Sequence, residues 1–273
     1  MNGRFGPLAD AVVSIEDRGF QFGDGVYEVI RTYRGQPFAI EEHMARLERS
    51  AQALQLSIGQ TSAQWSSLIR EGLRLSQFPE AKIYLQITRG QAPRDHPFPV
   101  SSAPTTVLTF RELHPLDVSV RNAGVQAMSV EDIRWGRCDI KSVNLLANVL
   151  ARQRAKEAGV FEAILVREGT VTEGSVSNVM VVRNGAVQTA PEGRRILSGV
   201  TRAIVLDLAR KEGIPVAESF VTREELLAAS EVFLTGTTVE VLPVVRVDGH
   251  MIGGGSPGPV SQLLSRRFEA LVG

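Results

Sequence analysis

The chain has 273 residues, 43% of them hydrophobic and with no bias towards any one type, enough for one large domain or two medium ones with separate cores. Its 30 basic and 30 acidic residues cancel, so no net field draws the chain to nucleic acid or to an acidic membrane surface. No apolar run approaches the roughly 20 residues needed to cross a bilayer, and a lone cysteine, Cys138, rules out an internal disulfide.

The opening residues MNGRFGPLAD lack the charged start and apolar run of a secretory signal, so a reducing cytoplasm is the expected compartment. Strands are expected near residues 11–15, 26–33, 83–89 and 107–111. Helices are expected near 41–56 and 62–75, with Met44, Leu47, Ala51 and Leu54 forming the apolar stripe of the first. Between 91 and 105 four prolines forbid regular structure, which predicts an ordered, non-repetitive loop of the kind that covers sites. The pattern lapses over 113–123, where His114-Pro115 and Asn122 act as breakers. A boundary is expected there, between a smaller N-terminal α/β domain (1–115), a linker (116–122) and a larger C-terminal domain (123–273) carrying Lys141.

After a strand near 124–130, a helix is expected near 142–158, then a meander near 161–166, 177–182 and 186–189. The last turn of that meander is Asn184-Gly185, a strong hairpin signal. A helix near 200–210, a strand near 231–234 and a strand pair around Asp248-Gly249 follow. The irregular alternation fits two α+β domains better than a doubly wound sheet.

Lysines are scarce: Lys82, Lys141, Lys156 and Lys211 are the only ones. Lys156 and Lys211 precede Gly159 and Gly213 at helix ends, where a cation meets the negative end of the helix dipole, and Lys82 opens a strand. Lys141 stands between a polar stretch and an apolar helix start, at the edge of a core. Desolvation there would lower its pKa and favour a neutral, nucleophilic amine, against the plainer alternative of a snorkelling side chain. Glu173, in Thr172-Glu173-Gly174-Ser175, reads on its own as an exposed turn residue. Ser198-Gly199-Val200-Thr201 before a helix offers either an anion site or a simple cap. Thr235-Gly236-Thr237-Thr238 can complete a phosphate cup or form a tight turn. Arg94-Asp95-His96 suits the grip of a carboxylate, or is solvated loop charge. The four histidines lack metal-ligand spacing, so no metal is expected.

Taken in succession, EDRGFQFGDGVYEVIRTYRG from Glu16, EEHMARL from Glu41, TRGQAPRDHPFP from Thr88, VEDIRWGRCDIKSVNLLANVLA from Val130, TVTEGSVSN from Thr170, LSGVTR from Leu197 and FLTGTTVEVLPV from Phe233 span nearly the whole chain. This succession resembles the D-amino acid aminotransferases of pyridoxal-phosphate fold type IV. The resemblance implies that Lys141 forms the Schiff base with pyridoxal 5′-phosphate and carries the proton between substrate α-carbon and cofactor C4′. It implies that Glu173 faces the pyridine nitrogen, that Arg46 binds the cofactor phosphate, and that Val200, Thr201 and Thr237 complete the phosphate cup. Tyr27, Arg94 and His96 match the trio that holds the substrate α-carboxylate, with the loop of the last two contributed by a neighbouring subunit, hence a homodimer with shared sites. D-alanine and D-glutamate, with 2-oxo acids as acceptors in a ping-pong cycle, are the implied substrates. Val176 and Gly236 depart from the family pattern, which carries serine there. Related fold type IV enzymes act on branched-chain L-amino acids or (R)-amines or are aminodeoxychorismate lyases, and a non-catalytic cofactor-binding protein is the alternative of another class.

Overall fold

The computed structural model describes residues 1–273, which cluster into two compact units. The first comprises Met1–His114 together with Ile140–Asn144, and the second Pro115–Asp139 together with Leu145–Gly273.

In the first unit, a short helix α1 (Arg18–Phe22) leads into β1 (Gly25–Tyr33), a two-residue strand β2 (Gln36–Pro37), helices α2 (Ile40–Ala53) and α3 (Ser62–Ser76), and strands β3 (Ala81–Thr88) and β4 (Thr105–Glu112). The strands form an antiparallel sheet in the order β2-β1-β3-β4. Alternation along β1 sends Val26, Glu28 and Ile30 to one fully buried face, where the α2 stripe of Met44, Leu47 and Ala51 packs with Trp65 and Ile69 of α3. A capping box of Thr61 and Gln64 starts α3. Residues 11–15, expected as a strand, join no sheet: Val12 and Ile15 are 77% and 76% exposed. Alternation selects the face of a strand but supplies no partner edge.

The second unit holds α4 (Val118–Ala123), β5 (Val125–Glu131), α5 (Leu146–Glu157), β6 (Glu162–Arg167), β7 (Thr170–Gly174), β8 (Asn178–Arg183), β9 (Ala186–Thr189), α6 (Val200–Lys211), β10 (Val216–Glu218), β11 (Val221–Thr222), α7 (Arg223–Leu227), β12 (Glu231–Gly236), β13 (Glu240–Val247), β14 (His250–Met251) and α8 (Pro259–Val272). Its mixed sheet runs β10-β9-β8-β12-β13-β5-β6-β7-β11, with β14 beside β13. The Asn184-Gly185 and Asp248-Gly249 hairpins form with positive φ at both residues.

Three expectations are corrected by the structure. The helix expected from 142 begins at Leu146, because Lys141–Val143 lie against β1: Tyr27 N–H donates to the Lys141 carbonyl at 3.0 Å and Val143 N–H to the Gly25 carbonyl at 3.1 Å. The meander is not one, since β8 pairs with β9 and β12 while β6 pairs with β5 and β7. Strand β7 itself follows a turn at Glu168-Gly169, whose φ values of 53° and 74° place a glutamate where asparagine or aspartate is the usual signal. The breaker-rich stretch 113–123 also contains a helix, α4, begun by Asp117 accepting from Ser119 N–H at 2.7 Å. No helix is long and apolar enough to cross a membrane.

Candidate active site

In the first unit the residues of interest gather around β1. Lys141 is half-buried with its backbone fixed on both sides: its carbonyl accepts from Tyr27, and its N–H donates to Ser50 Oγ at 3.2 Å. The Lys141 ammonium nitrogen stands 4.3 Å from the centre of the Tyr27 ring, and Tyr84 packs 5.7 Å from that ring. Sequence pattern makes Arg46 a polar-face residue of α2; the structure buries it to 5% exposure against Glu28. Arg46 Nε donates to Glu28 Oε1 and Nη2 to Oε2, both at 2.8 Å, while His43 Nδ1 lies 2.7 Å from Oε2. Burial pushes the Glu28 carboxyl upward, but the Arg46 charge and the hydrogen bonds from Arg46 and His43 outweigh it and hold the group well below the carboxylate range. Burial depresses His43, and the Arg46 and Lys141 cations add to this against the pull of Glu28, so its imidazole is kept neutral.

Arg94 and His96 are exposed on the proline-rich loop, and the structure brings them together around Phe22 of α1. The Arg94 guanidinium is 5.1 Å and the His96 ring 5.6 Å from the Phe22 ring centre.

In the second unit Glu173 is a buried residue of β7 instead of an exposed turn residue. Its Oε2 accepts from Asn178 Nδ2 at 3.1 Å and from Leu197 N–H at 3.0 Å, and Oε1 accepts from Arg134. Arg134 is shared: Nε and Nη2 donate to Asp132 at 2.9 Å each. Burial therefore keeps the Glu173 carboxyl above its usual range despite Arg134. Val200 and Thr201 open α6, both buried, and no side chain caps that helix at Gly199. Thr237 lies in the turn between β12 and β13, two residues after Thr235, whose Oγ1 is buried without a hydrogen-bond partner. The two departures from the family pattern are neighbours: a Cβ on Gly236 would stand 3.7 Å from the Val176 carbonyl.

The residues present fit a cofactor with an anionic phosphate and a basic ring nitrogen. An uncapped 12-residue helix start and an orphaned buried hydroxyl suit the first, and a buried carboxylate whose arginine is shared suits a cationic N–H donor. Glu28, His43, Asp132, Arg134 and Asn178 escape sequence reasoning. For Glu28 a signal exists, because a carboxylate in register with Val26 and Ile30 is a charge on the inward face. No group of histidine, cysteine and acidic residues could hold a metal ion.

A family model for class IV amino-transferases matches residues 25–247. A D-alanine aminotransferase of Bacillus licheniformis is 46% identical over 262 residues, covering 96% of this chain and 92% of the relative. One of Staphylococcus haemolyticus is 42% identical over 272 residues, covering 100% of this chain and 96% of the relative. Among solved structures, a T.th. branched-chain amino acid aminotransferase with pyridoxamine 5′-phosphate superposes with a TM-score of 0.93 at 31% identity, covering 100% of this chain and 92% of that one. The Escherichia coli branched-chain enzyme gives a TM-score of 0.93 at 29% identity, covering 99% and 93%.

Proposed function

The chain belongs to the class IV aminotransferases, enzymes of the two-domain α+β fold type IV that depend on pyridoxal 5′-phosphate, and from that premise we propose that it moves amino groups between D-amino acids and 2-oxo acids. The observation that carries the D-specific reading is the contrast in identity: 46% and 42% to D-alanine aminotransferases, against 31% and 29% to branched-chain enzymes that share the fold. D-alanine and D-glutamate are the typical substrates under this reading.

When bound, the cofactor supplies an aldehyde that links to amines and a ring that accepts the electron pair left when the substrate α-carbon loses its proton. Lys141 would be the amine that holds the cofactor covalently, and when free it would carry a proton between the substrate α-carbon and the cofactor C4′. The Tyr27 ring packs beside its nitrogen. Glu173 keeps the pyridine nitrogen protonated, a role that its burial and hydrogen bonds from Asn178 and Leu197 support. Arg46, Val200, Thr201 and Thr237 bind the phosphate, and Tyr27, Arg94 and His96 grip the α-carboxylate. The last two act across a homodimer, a reading that their exposure supports. With a single, buried cysteine the enzyme is suited to the cytoplasm.

The absorbance of the purified holoenzyme tests this. D-alanine should shift the visible cofactor band and L-alanine should not, and Lys141→Ala should show neither the band nor the shift. A shift with L-alanine alone would move the protein to the branched-chain side; no band after cofactor supplementation would sink the enzyme reading.

A further inference from the structure

Arg18 has only 3% of its surface exposed, yet its guanidinium is spent outside its own helix. Nε donates to Asp24 Oδ2 at 2.9 Å, Nη1 to the Asp95 carbonyl at 2.5 Å and Nη2 to the His96 carbonyl at 3.2 Å. Asp24 is shared with Arg89, which donates to its two oxygens at 2.8 and 3.0 Å. Arg89 in turn reaches the Leu54 and Gln55 carbonyls at 2.8 and 3.0 Å, beyond the end of α2, and lies 3.7 Å over the Phe98 ring. The main chain ties the loop only where it leaves β3, through Arg18 N–H to the Gly90 carbonyl at 2.9 Å and Ala92 N–H to the Glu16 carbonyl at 3.2 Å. Four prolines deny the loop a ladder of its own, so the fork of Arg18 supplies what the main chain lacks. The same guanidinium stacks 4.8 Å over Phe22, the ring that Arg94 and His96 also flank.

We propose that Arg18 is a positioning residue for recognition of the substrate carboxylate: by holding the Asp95 and His96 carbonyls it sets the loop in the shape that presents the Arg94 and His96 side chains. The inference rests on the reading of Arg94 and His96 given above. Each acceptor is met by a different guanidinium nitrogen, a span that the single ammonium nitrogen of lysine does not cover. Asp24 accepts from Arg18 Nε, and Arg89 links Asp24 to the carbonyls beyond the end of α2. Arg18 thus connects the helix scaffold to a loop on which Arg94 and His96 are exposed.

Arg18→Lys in the holoenzyme is the test, because it keeps a cation beside Asp24 and removes the grip on the two carbonyls. KM for D-alanine and for 2-oxoglutarate should rise about tenfold, the scale of one or two lost charge-assisted hydrogen bonds, with kcat held within about threefold. Amide exchange over residues 91–104 should quicken while the cofactor band and melting temperature stay in place. Unchanged KM and loop exchange would overturn the proposal, as would kcat and melting temperature falling in step with KM. If the unsubstituted holoenzyme converts no D-amino acid, the functional reading fails by itself, and loop exchange in the variant still decides whether Arg18 orders the loop.

Discussion

Two glutamates, Glu28 and Glu173, are both buried and both face an arginine, yet they are driven in opposite directions. Glu28 has Arg46 on both of its oxygens and His43 beside one of them, so attraction beats desolvation and the carboxylate is locked in its charged form. Glu173 has one arm of an arginine whose other donors serve Asp132, and desolvation wins. Burial alone therefore does not decide the state of a carboxylate; the share of the counter-charge does. In the first arrangement the arginine meets both oxygens of its carboxylate. In the second the arginine is divided between two carboxylates, an arrangement that suits the proposed role of Glu173 at the cofactor ring nitrogen.

The contrast can be broken by substitution. Glu28→Gln should be the costlier for the fold, about 3–5 kcal/mol by urea denaturation, because it leaves the Arg46 charge buried without its carboxylate. Glu173→Gln should leave the fold standing and lower kcat by about 10²–10³-fold, some 3–4 kcal/mol of barrier, measured in steady state with D-alanine. Equal stability losses in the two variants would dissolve the distinction.

Acid separates the pair by sign. The folded-state pKa of Glu28 is depressed, so its stabilisation is complete above the unfolded value of about 4.3 and is lost as pH falls towards the folded value. His43 is also depressed, and its contribution declines as pH drops below about 6.5. The folded-state pKa of Glu173 is raised, so its contribution runs the other way, present at low pH and lost as pH rises through the folded value. Urea midpoints of cofactor-free protein followed downward from neutrality should thus fall less steeply in Glu28→Gln than in the unsubstituted chain, and more steeply in Glu173→Gln. The smallest effect is expected for Asn178→Ala, about 1 kcal/mol in thermal melts, since Leu197 and Arg134 still donate to Glu173.

Most of the fold is legible in the sequence where periodicity is strong. β1, β3, β4, α2, α3, β5 and α6 lie within a few residues of their expected places because each has one apolar face and a recognisable end. β7 is not legible, since polar Thr172 and Glu173 fill its buried positions and an atypical Glu-Gly turn precedes it. Strand 11–15 is legible but absent, because no edge receives it. At the candidate site, Lys141 stands out by the scarcity of lysines, whereas Arg134 does not: its value arises from Asp132 two residues away and Glu173 on another strand. Local sequence conveys residue type and face; the division of one arginine between two carboxylates exists only once distant strands have met.

The five residues Ile140–Asn144 belong to the first unit although the chain leaves that unit at His114. The register of Lys141 is fixed by backbone bonds to Gly25 and Tyr27, and Ile140 joins the core of Val26, Ile30 and Met44. In kinetic terms this is a contact of very long loop length, whose closure entropy must be met before the amine occupies its position. On the proposed role of Lys141, cofactor capture is a late event in folding, and the growth of the visible cofactor band after dilution from denaturant should run behind helix formation.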